Sequence, residues 1–202
     1  MDTLTTIMTR RSVREFSDKP ISKEEIEKIL EAGIHAPSSK NSQPWFFVVD
    51  TSQKKNKIAE MIEQHADETF TPQDPRTEKS ARPTTARASA KILRNAPAVI
   101  FVFCESPFTG GRKELLKKPE LKYLLSYTSE IQSIAAAVQN ILLTVHNMGL
   151  GAVWNNDMYY IAEEIQTEYN VPHDFMLAVC IGHPKEPVTQ NIPRAKKYHI
   201  IE

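Results

Sequence analysis

Three arginines and a serine lie close together near the start of the chain, at Arg10, Arg11, Ser12 and Arg14. Guanidinium groups bind phosphate oxygens through paired hydrogen bonds, and the Ser12 hydroxyl can add a neutral one. Residues 3–9 can form a short helix before this run, so the pattern predicts a small anion site just past that helix. A solvated basic turn is the alternative interpretation of the same residues.

A second stretch with chemical potential runs through residues 36–45 and leads into an apolar segment that ends at Asp50. Six of its ten residues carry polar side chains that can hydrogen-bond, and Pro37 and Pro44 stiffen its backbone. A rigid polar loop of this kind suits the edge of a planar heterocycle, which offers several donors and acceptors. An ordinary surface loop is the alternative.

Several common catalytic patterns are absent from the sequence. It contains no glycine-rich dinucleotide or nucleotide loop, no Gly-x-Ser-x-Gly motif and no residues spaced as metal ligands. The six histidines are dispersed, and no pair of nucleophile and base can be named. Cys104 and Cys180 each lie inside an apolar run, which predicts two buried free thiols. If the protein is an enzyme, a bound cofactor carries the reaction, and we expect no metal site.

The longest apolar stretch, residues 127–156, is the element that must position these groups. No Asp, Glu, Lys or Arg occurs between Ile131 and Asn156, and apolar residues recur there at helical spacing. The pattern predicts a helix that ends near Gly149, followed by a buried strand through Trp154. A helix that is apolar on more than one face is buried on more than one face, within its own domain or against a second subunit.

The other segments predict short strands between longer helices. Ser22 and Glu25 form a capping box for a helix that Pro37 ends, and Asp157 can cap a later helix that runs to about Tyr169. Residues 98–104 and 175–181 are apolar throughout and predict buried core strands, whereas 67–87 and 105–119 look irregular. This order predicts an α+β fold in one domain, 1–202.

Composition limits the classes of function. The chain has 25 basic and 25 acidic residues, so its formal net charge of zero gives no field that would attract nucleic acid. Polar residues interrupt the apolar helix, which argues against a membrane span. The first residues lack the basic start and apolar core of a signal peptide, so we expect a cytoplasmic protein without structural disulfides.

Four blocks of sequence, in this order along the chain, resemble the FMN-dependent nitroreductase family. The first is residues 10–14, and the second is residues 37–45, which match the family pattern Pro-Ser-x-x-Asn-x-Gln-Pro-Trp. Residues 147–154 match the pattern Asn-apolar-Gly-Leu-Gly-x-x-Trp, and residues 182–184 match Gly-x-Pro before a basic tail. Each block is modest alone, but together they span the chain from residue 10 to about 196.

This resemblance implies a nitroreductase-like α+β fold. Such a fold has a central, mainly antiparallel sheet flanked by helices, a long central helix at a dimer interface and an extended C-terminal tail. The resemblance further implies a homodimer with FMN at the subunit interface. NADH or NADPH would reduce the flavin, and a nitroaromatic, quinone-like or similar small acceptor would reoxidise it in a ping-pong cycle. Because the flavin carries the chemistry, no catalytic side chain is expected.

The resemblance assigns cofactor-binding residues by position. The residues that match the family's phosphate and ribityl contacts are Arg10, Arg11, Ser12 and Arg14. The residues that match the loop along the edge of the flavin ring are Pro37, Ser38, Ser39, Asn41 and Gln43. The residues that match the strand beside flavin N5 are Trp154 and Asn155. The residues that match the tail returning to the phosphate are Arg194 and, as its alternative, Lys196.

Two features depart from the family pattern. Residues 155–157 stand where many relatives have smaller or glycine-containing turns, so the donor to flavin N5 stays open. The region of about 67–127, which we predict to form a variable lid or substrate wall, carries no family motif. The aromatic residues there that could stack on a substrate ring, or could instead pack in the core, are Phe70, Phe108, Tyr123 and Tyr127.

Two alternatives share this scaffold. One is a different flavin reaction, either fragmentation of the flavin to a benzimidazole or reductive dehalogenation of an aromatic amino acid. Dehalogenases carry Thr-Glu-Pro-Trp where this chain has Ser42, Gln43, Pro44 and Trp45, which argues against dehalogenation. The other alternative is a non-catalytic flavin-binding or storage dimer, whose flavin NAD(P)H would not bleach.

Overall fold

We describe the fold from a computed structural model, which covers residues 1–69, 82–117, 120–187, 194–195 and 197–201. Within these ranges the helices are α1 (Thr3–Thr9), α2 (Lys23–Ile34), α3 (Lys54–Thr69), α4 (Arg82–Asn95), α5 (Arg112–Lys117), α6 (Leu121–Asn147) and α7 (Ala162–Tyr169). The strands are β1 (Trp45–Asp50), β2 (Ala98–Cys104), β3 (Gly151–Asn155) and β4 (Asp174–Gly182). Short 3₁₀ turns occur at Ser39–Asn41 and Tyr159–Ile161.

The four strands form one antiparallel sheet in the order β1-β2-β4-β3. Strand β2 lies inside the sheet because its sequence, Ala-Val-Ile-Phe-Val-Phe-Cys, has no polar face to present to water, and all of it is buried. In register, Val99 of β2 faces Cys180 of β4, and Phe101 of β2 faces Val48 of β1. This topology confirms the predicted α+β fold with a mainly antiparallel sheet.

Helices cover both faces of the sheet because side chains alternate along each strand. On one face, Phe101 and Phe103 of β2 pack with buried residues of α3, α4 and α7. On the other face, Ile100 and Val102 pack with residues of α2 and α6. The side chains between the sheet and the helices on each face are buried, so the sheet and its helices form a rigid frame for the candidate site residues.

Helix α6 has 27 residues and is longer than the apolar stretch that predicts it, since it begins at Leu121. Its later turns bury Ile134, Val138 and Ile141 against the sheet. Its first turns expose apolar side chains instead, among them Leu124 at 51% and Leu125 at 61% of their surface. These exposed side chains precede the stretch 127–156, whose burial on more than one face stays a prediction.

Three predictions of local structure are wrong. Residues 67–69 belong to α3 and residues 82–87 to α4, rather than to one irregular stretch over 67–87. Residues 112–117 form α5 rather than an irregular stretch. Asp157 does not cap the following helix, because its carboxylate accepts a hydrogen bond from Ser89 Oγ of α4 at 3.2 Å, and α7 begins only after a 3₁₀ turn. The capping box is confirmed, since Ser22 and Glu25 exchange hydrogen bonds of 2.8 and 3.2 Å between side chain and backbone.

Some predictions fall on residues that the structure leaves outside its described ranges, namely those on Phe70 and Lys196. The predicted buried thiols are confirmed, because Cys104 and Cys180 are both free and both buried. None of the helices within the described ranges is long and apolar enough to cross a membrane.

Candidate cofactor site

The arginine run lies in an extended segment that runs beside β3. Ser12 forms a parallel bridge with Ala152, and the Val13 N–H donates to the Ala152 carbonyl at 2.9 Å. Gly151 makes this close approach possible, because a β-carbon at that position would lie 2.7 Å from Val13 Cβ. The segment therefore adds to the β3 edge of the sheet, which gives the predicted phosphate residues a defined place.

Arg10, Arg11 and Arg194 form a cluster of cations at the start of this segment. Burial lowers the pKa of the Arg10 guanidinium, and the nearby Arg194 and Arg11 lower it further. His146, near the end of α6, has its pKa lowered by burial and then by the charges of Arg10 and Arg11. Like charges held together in this way favour an anion among them. The charge of the tail residue Arg194 therefore acts on the pKa of Arg10 within a single chain.

Arg11 is oriented before any ligand binds. Its Nη1 atom donates to the carbonyl oxygens of Met8 and Arg10, at 3.0 and 2.8 Å. The side chain also lines a cavity of about 200 Å³ together with Thr9 and His146. Thr9 Oγ1 lies 2.9 Å from His146 Nε2. A cation that is fixed in position loses less conformational entropy when it meets an anion, so this arrangement suits phosphate binding.

Arg14 lies one residue beyond Val13 and lines a larger cleft, about 600 Å³ in volume, between the extended segment and α4. Lys91 and Lys185 bring two further cations to its walls, and Glu15 and Asp18 also line it. The volume lies within the range of roughly 300–1,000 Å³ that is typical of small-molecule sites. The cleft adjoins the predicted phosphate residues, so it is the candidate space for a cofactor ring.

Lys91 is a candidate functional residue that the sequence analysis missed. It lies on α4 with Ala88, Ile92 and Asn95, a set at helical spacing that faces the cleft. Another cation on the same wall, Arg94, is instead held by the Glu63 carboxylate. The sequence around Lys91 carries no family motif. The signal in the sequence that could have indicated this residue was one helical face with a small residue, a lysine and an asparagine.

The loop that contains Pro37, Ser38, Ser39, Asn41 and Gln43 has an unusual backbone. Three non-glycine residues in it, Lys40, Asn41 and Gln43, have positive φ angles of 54°, 55° and 46°. A left-handed backbone costs about 1–2 kcal/mol for each such residue, and strain of this kind concentrates at functional sites. The Ser39 N–H donates to Ser133 Oγ of α6 at 3.2 Å, which anchors the loop. Strain and anchoring favour a binding loop over an ordinary surface loop.

The end of β3 places Trp154 and Asn155 differently. The side chain of Trp154 is 39% exposed, whereas that of Asn155 is 4% exposed. The Asn155 Nδ2 atom donates to the carbonyl of Ser89 in α4 at 3.2 Å, so this side chain anchors β3 to α4. Any contact of Asn155 with a cofactor would therefore come from its backbone, and the position of the Trp154 side chain leaves it accessible.

The structure does not bring the two predicted halves of the site together in one chain. The loop meets α6 at Ser133, and the arginine cluster meets it at His146. The 13 residues from one to the other span about 20 Å of α-helix. No residue of 37–43 lines either cavity beside the arginine run.

Comparison with known proteins gives the class to which this fold and site belong. Residues 7–183 match the model of the Nitroreductase family, and the chain belongs to that family. It is 33% identical over 186 residues to an Archaeoglobus fulgidus protein provisionally assigned as an NADH dehydrogenase/NAD(P)H nitroreductase, covering 89% of this chain and 84% of the relative. It is 28% identical over 182 residues to the 5,6-dimethylbenzimidazole synthase of Rhodospirillum rubrum, covering 88% and 79%.

A solved structure gives the same result for the fold. A provisionally assigned nitroreductase of Desulfovibrio desulfuricans, in complex with FMN, superposes with a TM-score of 0.64 at 26% identity. The match covers 96% of this chain and 92% of that one. The predicted family and the predicted nitroreductase-like fold are therefore confirmed.

Proposed function

We propose that this protein is an FMN-dependent oxidoreductase that takes reducing equivalents from NADH or NADPH and passes them to a small nitroaromatic, quinone-like or similar acceptor. The observation that carries the proposal is the arginine run itself, whose Arg11 lines a cavity of about 200 Å³ and whose Arg14 lines a cleft of about 600 Å³, in a chain of the Nitroreductase family. A phosphate monoester carries a charge of about −2 near neutral pH. Three guanidinium groups, one already oriented by backbone carbonyls, fit that charge.

The residues around the cleft fit the rest of the cofactor. FMN, when bound, supplies the hydride chemistry that no side chain of the site offers. Arg14 and Lys91 line the cleft and would favour negative charge on a reduced ring within it. Gly151 and the Val13–Ala152 hydrogen bond hold the arginine run against β3. The side chains would therefore bind and orient the cofactor and favour its reduced form, while the cofactor itself would carry the hydride chemistry.

The functional unit that we propose is a homodimer in which the loop 37–43 of one chain completes the site of the other. The separation of about 20 Å between loop and arginine cluster along α6 supports this arrangement. Large apolar side chains are also exposed near both ends of α6, on its own first turns and on α1, which contacts its last turn at His146 and Asn147. Exposed apolar patches mark protein–protein interfaces. Those on α1 and on the first turns of α6 are Leu4, Ile7, Met8, Leu121, Leu124 and Leu125.

Complementation between two inactive variants tests the shared site. Arg10→Ala removes a phosphate partner, and Gln43→Ala alters the opposite loop, so each homodimer is expected to hold little flavin. Hybrid dimers formed by unfolding and refolding a mixture would contain one site built from two unaltered halves. We expect about a quarter of the wild-type flavin occupancy in such a mixture. No gain over the separate variants, or a monomer mass in light scattering, would contradict the shared site.

The proposed mechanism is ping-pong, because nicotinamide and acceptor would occupy the same exposed face of the cofactor in turn. Initial rates measured against NADH at several fixed concentrations of menadione test this order. Parallel lines in a double-reciprocal plot are expected. Lines that intersect would mean that donor and acceptor are bound together, which contradicts a single shared face.

Flavin fragmentation is the second candidate, because the chain is similar to a 5,6-dimethylbenzimidazole synthase. Reduction followed by exposure to air separates the two reactions. An oxidoreductase regains the absorbance of oxidised flavin, whereas a fragmenting enzyme loses it permanently. A storage protein would not be reduced by NADH or NADPH in the first place.

We also propose that residues 1–202 form a single domain that works in the cytoplasm. Burial raises the pKa of the Cys104 thiol to about 11 and that of the Cys180 thiol to about 12. Both thiols are therefore protonated near neutral pH and serve as small packing groups in the core. A chain that keeps two free cysteines in this state suits a reducing compartment.

A further inference from the structure

A third cavity, about 380 Å³ in volume, opens between the strained loop and the first turns of α6. It has a mixed aromatic, hydroxyl and cationic lining. The residues that line it are Ser39, Lys40, Phe108, Leu125, Ser126 and Ser129. Its lining includes one cation and no carboxylate. This combination could hold a small aromatic ring that bears a negative charge.

Among the candidate aromatic residues that the structure describes in the variable region, Phe108 is placed to contact such a ring. Its side chain is 38% exposed. Tyr127, by contrast, is buried at 9% exposure, and the ring of Tyr123 lies under the Lys122 ammonium at 5.1 Å. Phe108 therefore forms part of the cavity wall rather than of the core.

A buried carboxylate fixes the position of Phe108. Glu130 of α6 has no exposed surface, and its Oε1 atom accepts the Phe108 N–H at 2.8 Å. Its Oε2 atom accepts the Thr109 hydroxyl at 2.9 Å. Because both oxygens are used by the loop behind the ring, Glu130 holds the wall in place and does not neutralise the cavity. Its role is positioning.

Lys40 supplies the charge of the cavity. Its ammonium lies 5.6 Å from the centre of the Phe108 ring, within the range of a cation–π contact. It forms no ion pair with any residue of the described ranges, and its backbone is held in the left-handed region at φ 54°. A strained loop thus presents an exposed cation beside an aromatic face, where the anionic group of a ligand could meet the ammonium while its aromatic ring packs against Phe108.

We propose that this cavity selects acceptors that carry a carboxylate or similar anionic group on an aromatic ring. The ring packs against Phe108, and the anionic group binds the Lys40 ammonium. The inference rests on the proposed function, in which the loop that carries Lys40 lies along the flavin of the opposite subunit. It deepens that function, because it names the class of acceptor that reaches the reduced cofactor.

The test compares two acceptors that differ in charge, 4-nitrobenzoate and 4-nitrobenzamide, with the FMN-loaded protein. The measured quantity is the ratio of their kcat/KM values, which cancels effects common to both. We expect a wild-type ratio above one. Lys40→Gln, which removes the charge but keeps a polar side chain, should lower the ratio by about three- to tenfold, and Lys40→Glu should invert the preference.

Lys122→Gln is the matched control. Lys122 also lies over an aromatic ring, but its ammonium is paired with Glu120 at 3.1 Å, outside the cavity. The ratio in this variant should equal that of the wild type. Phe108→Leu should raise KM for both acceptors and leave the ratio unchanged, because the ring contacts the part that the two acceptors share.

A binding measurement separates failure of this inference from failure of the proposed function. Benzoate and benzamide cannot be reduced, so calorimetric titration of each into the oxidised holoenzyme needs no turnover. Tighter binding of benzoate, weakened by Lys40→Gln, would support the site even if NADH and NADPH reduced nothing. An unchanged ratio and unchanged benzoate affinity in Lys40→Gln would overturn it, as would a wild type that does not distinguish benzoate from benzamide.

Discussion

Replacing Gly151 by alanine is predicted to dislodge the phosphate site without touching any charged residue. The added β-carbon would lie 2.7 Å from both Cβ and Cγ1 of Val13. Ordinary contact begins near 3.4 Å, so the extended segment must move by about 0.7 Å. The Val13 N–H now donates to the Ala152 carbonyl at 2.9 Å, and a movement of that size carries it out of normal hydrogen-bonding range. Arg10 and Arg11 would move with the segment.

The magnitude follows from two terms. Overpacking of a close contact costs about 1–3 kcal/mol, which corresponds to a fall of about 2–12 °C in Tm for a chain of this length. A charge-assisted hydrogen bond contributes about 1.5–3 kcal/mol, so misplacing one arginine should weaken FMN binding by at least about tenfold. Quenching of FMN fluorescence on titration into apoprotein measures the second term, and thermal unfolding of the apoprotein measures the first.

Two further variants distinguish this explanation from a general loss of stability. Gly149 has a φ of +78°, but a β-carbon there would meet nothing within 4 Å. Gly149→Ala should therefore lose about 1 kcal/mol of stability and keep its FMN affinity. Val13→Ala should not rescue Gly151→Ala, because the clash includes Val13 Cβ itself, whereas Val13→Gly should restore part of the affinity. Wild-type FMN affinity in Gly151→Ala would refute the reasoning.

Two other predictions concern titrating and buried groups. The pKa of His146 is lowered by burial and then by Arg10 and Arg11, so the unfolded chain binds its proton more readily and the apoprotein loses stability as the pH falls below about 6.5. Thermal unfolding should show that the Tm of His146→Gln, relative to that of the wild type, is higher at about pH 5.5 than at about pH 7.5. The same difference in Tm at both pH values would contradict this. Tyr169 donates its hydroxyl to Asp50 Oδ2 at 2.6 Å, and Tyr169→Phe should cost about 1.5–3 kcal/mol in stability with no change in FMN affinity, as measured by denaturant unfolding and flavin titration.

Those parts of the fold that depend on local pattern could be predicted from the sequence. The uninterrupted apolar run of β2 has no alternative to burial, and the capping box at Ser22 satisfies its backbone donors locally. The arginine run and the polar loop could be recognised because their residue types and spacing match a family pattern. The points at which they contact α6, about 20 Å apart, could not be predicted from the sequence, since they depend on packing between distant elements.

The misses have a common cause, which is competition for a partner that lies far away in the sequence. Asp157 would make a good helix cap, but Ser89 of α4 takes its carboxylate. The side chain of Asn155 binds the carbonyl of Ser89, so its assignment to the cofactor stays a prediction for the backbone alone. Lys91 faces the cleft only because α4 packs across the sheet at that point. No local pattern records contacts between residues more than 60 positions apart.

The measurement that tests the central claim most directly is the visible spectrum of the purified protein loaded with FMN, recorded before and after anaerobic addition of NADH or NADPH. We predict a bound flavin whose absorbance near 450 nm bleaches on addition of one of the two nucleotides and returns when menadione is added. A protein that binds no FMN, or one whose bound flavin stays oxidised with both nucleotides, would contradict the assignment as an FMN-dependent NAD(P)H oxidoreductase.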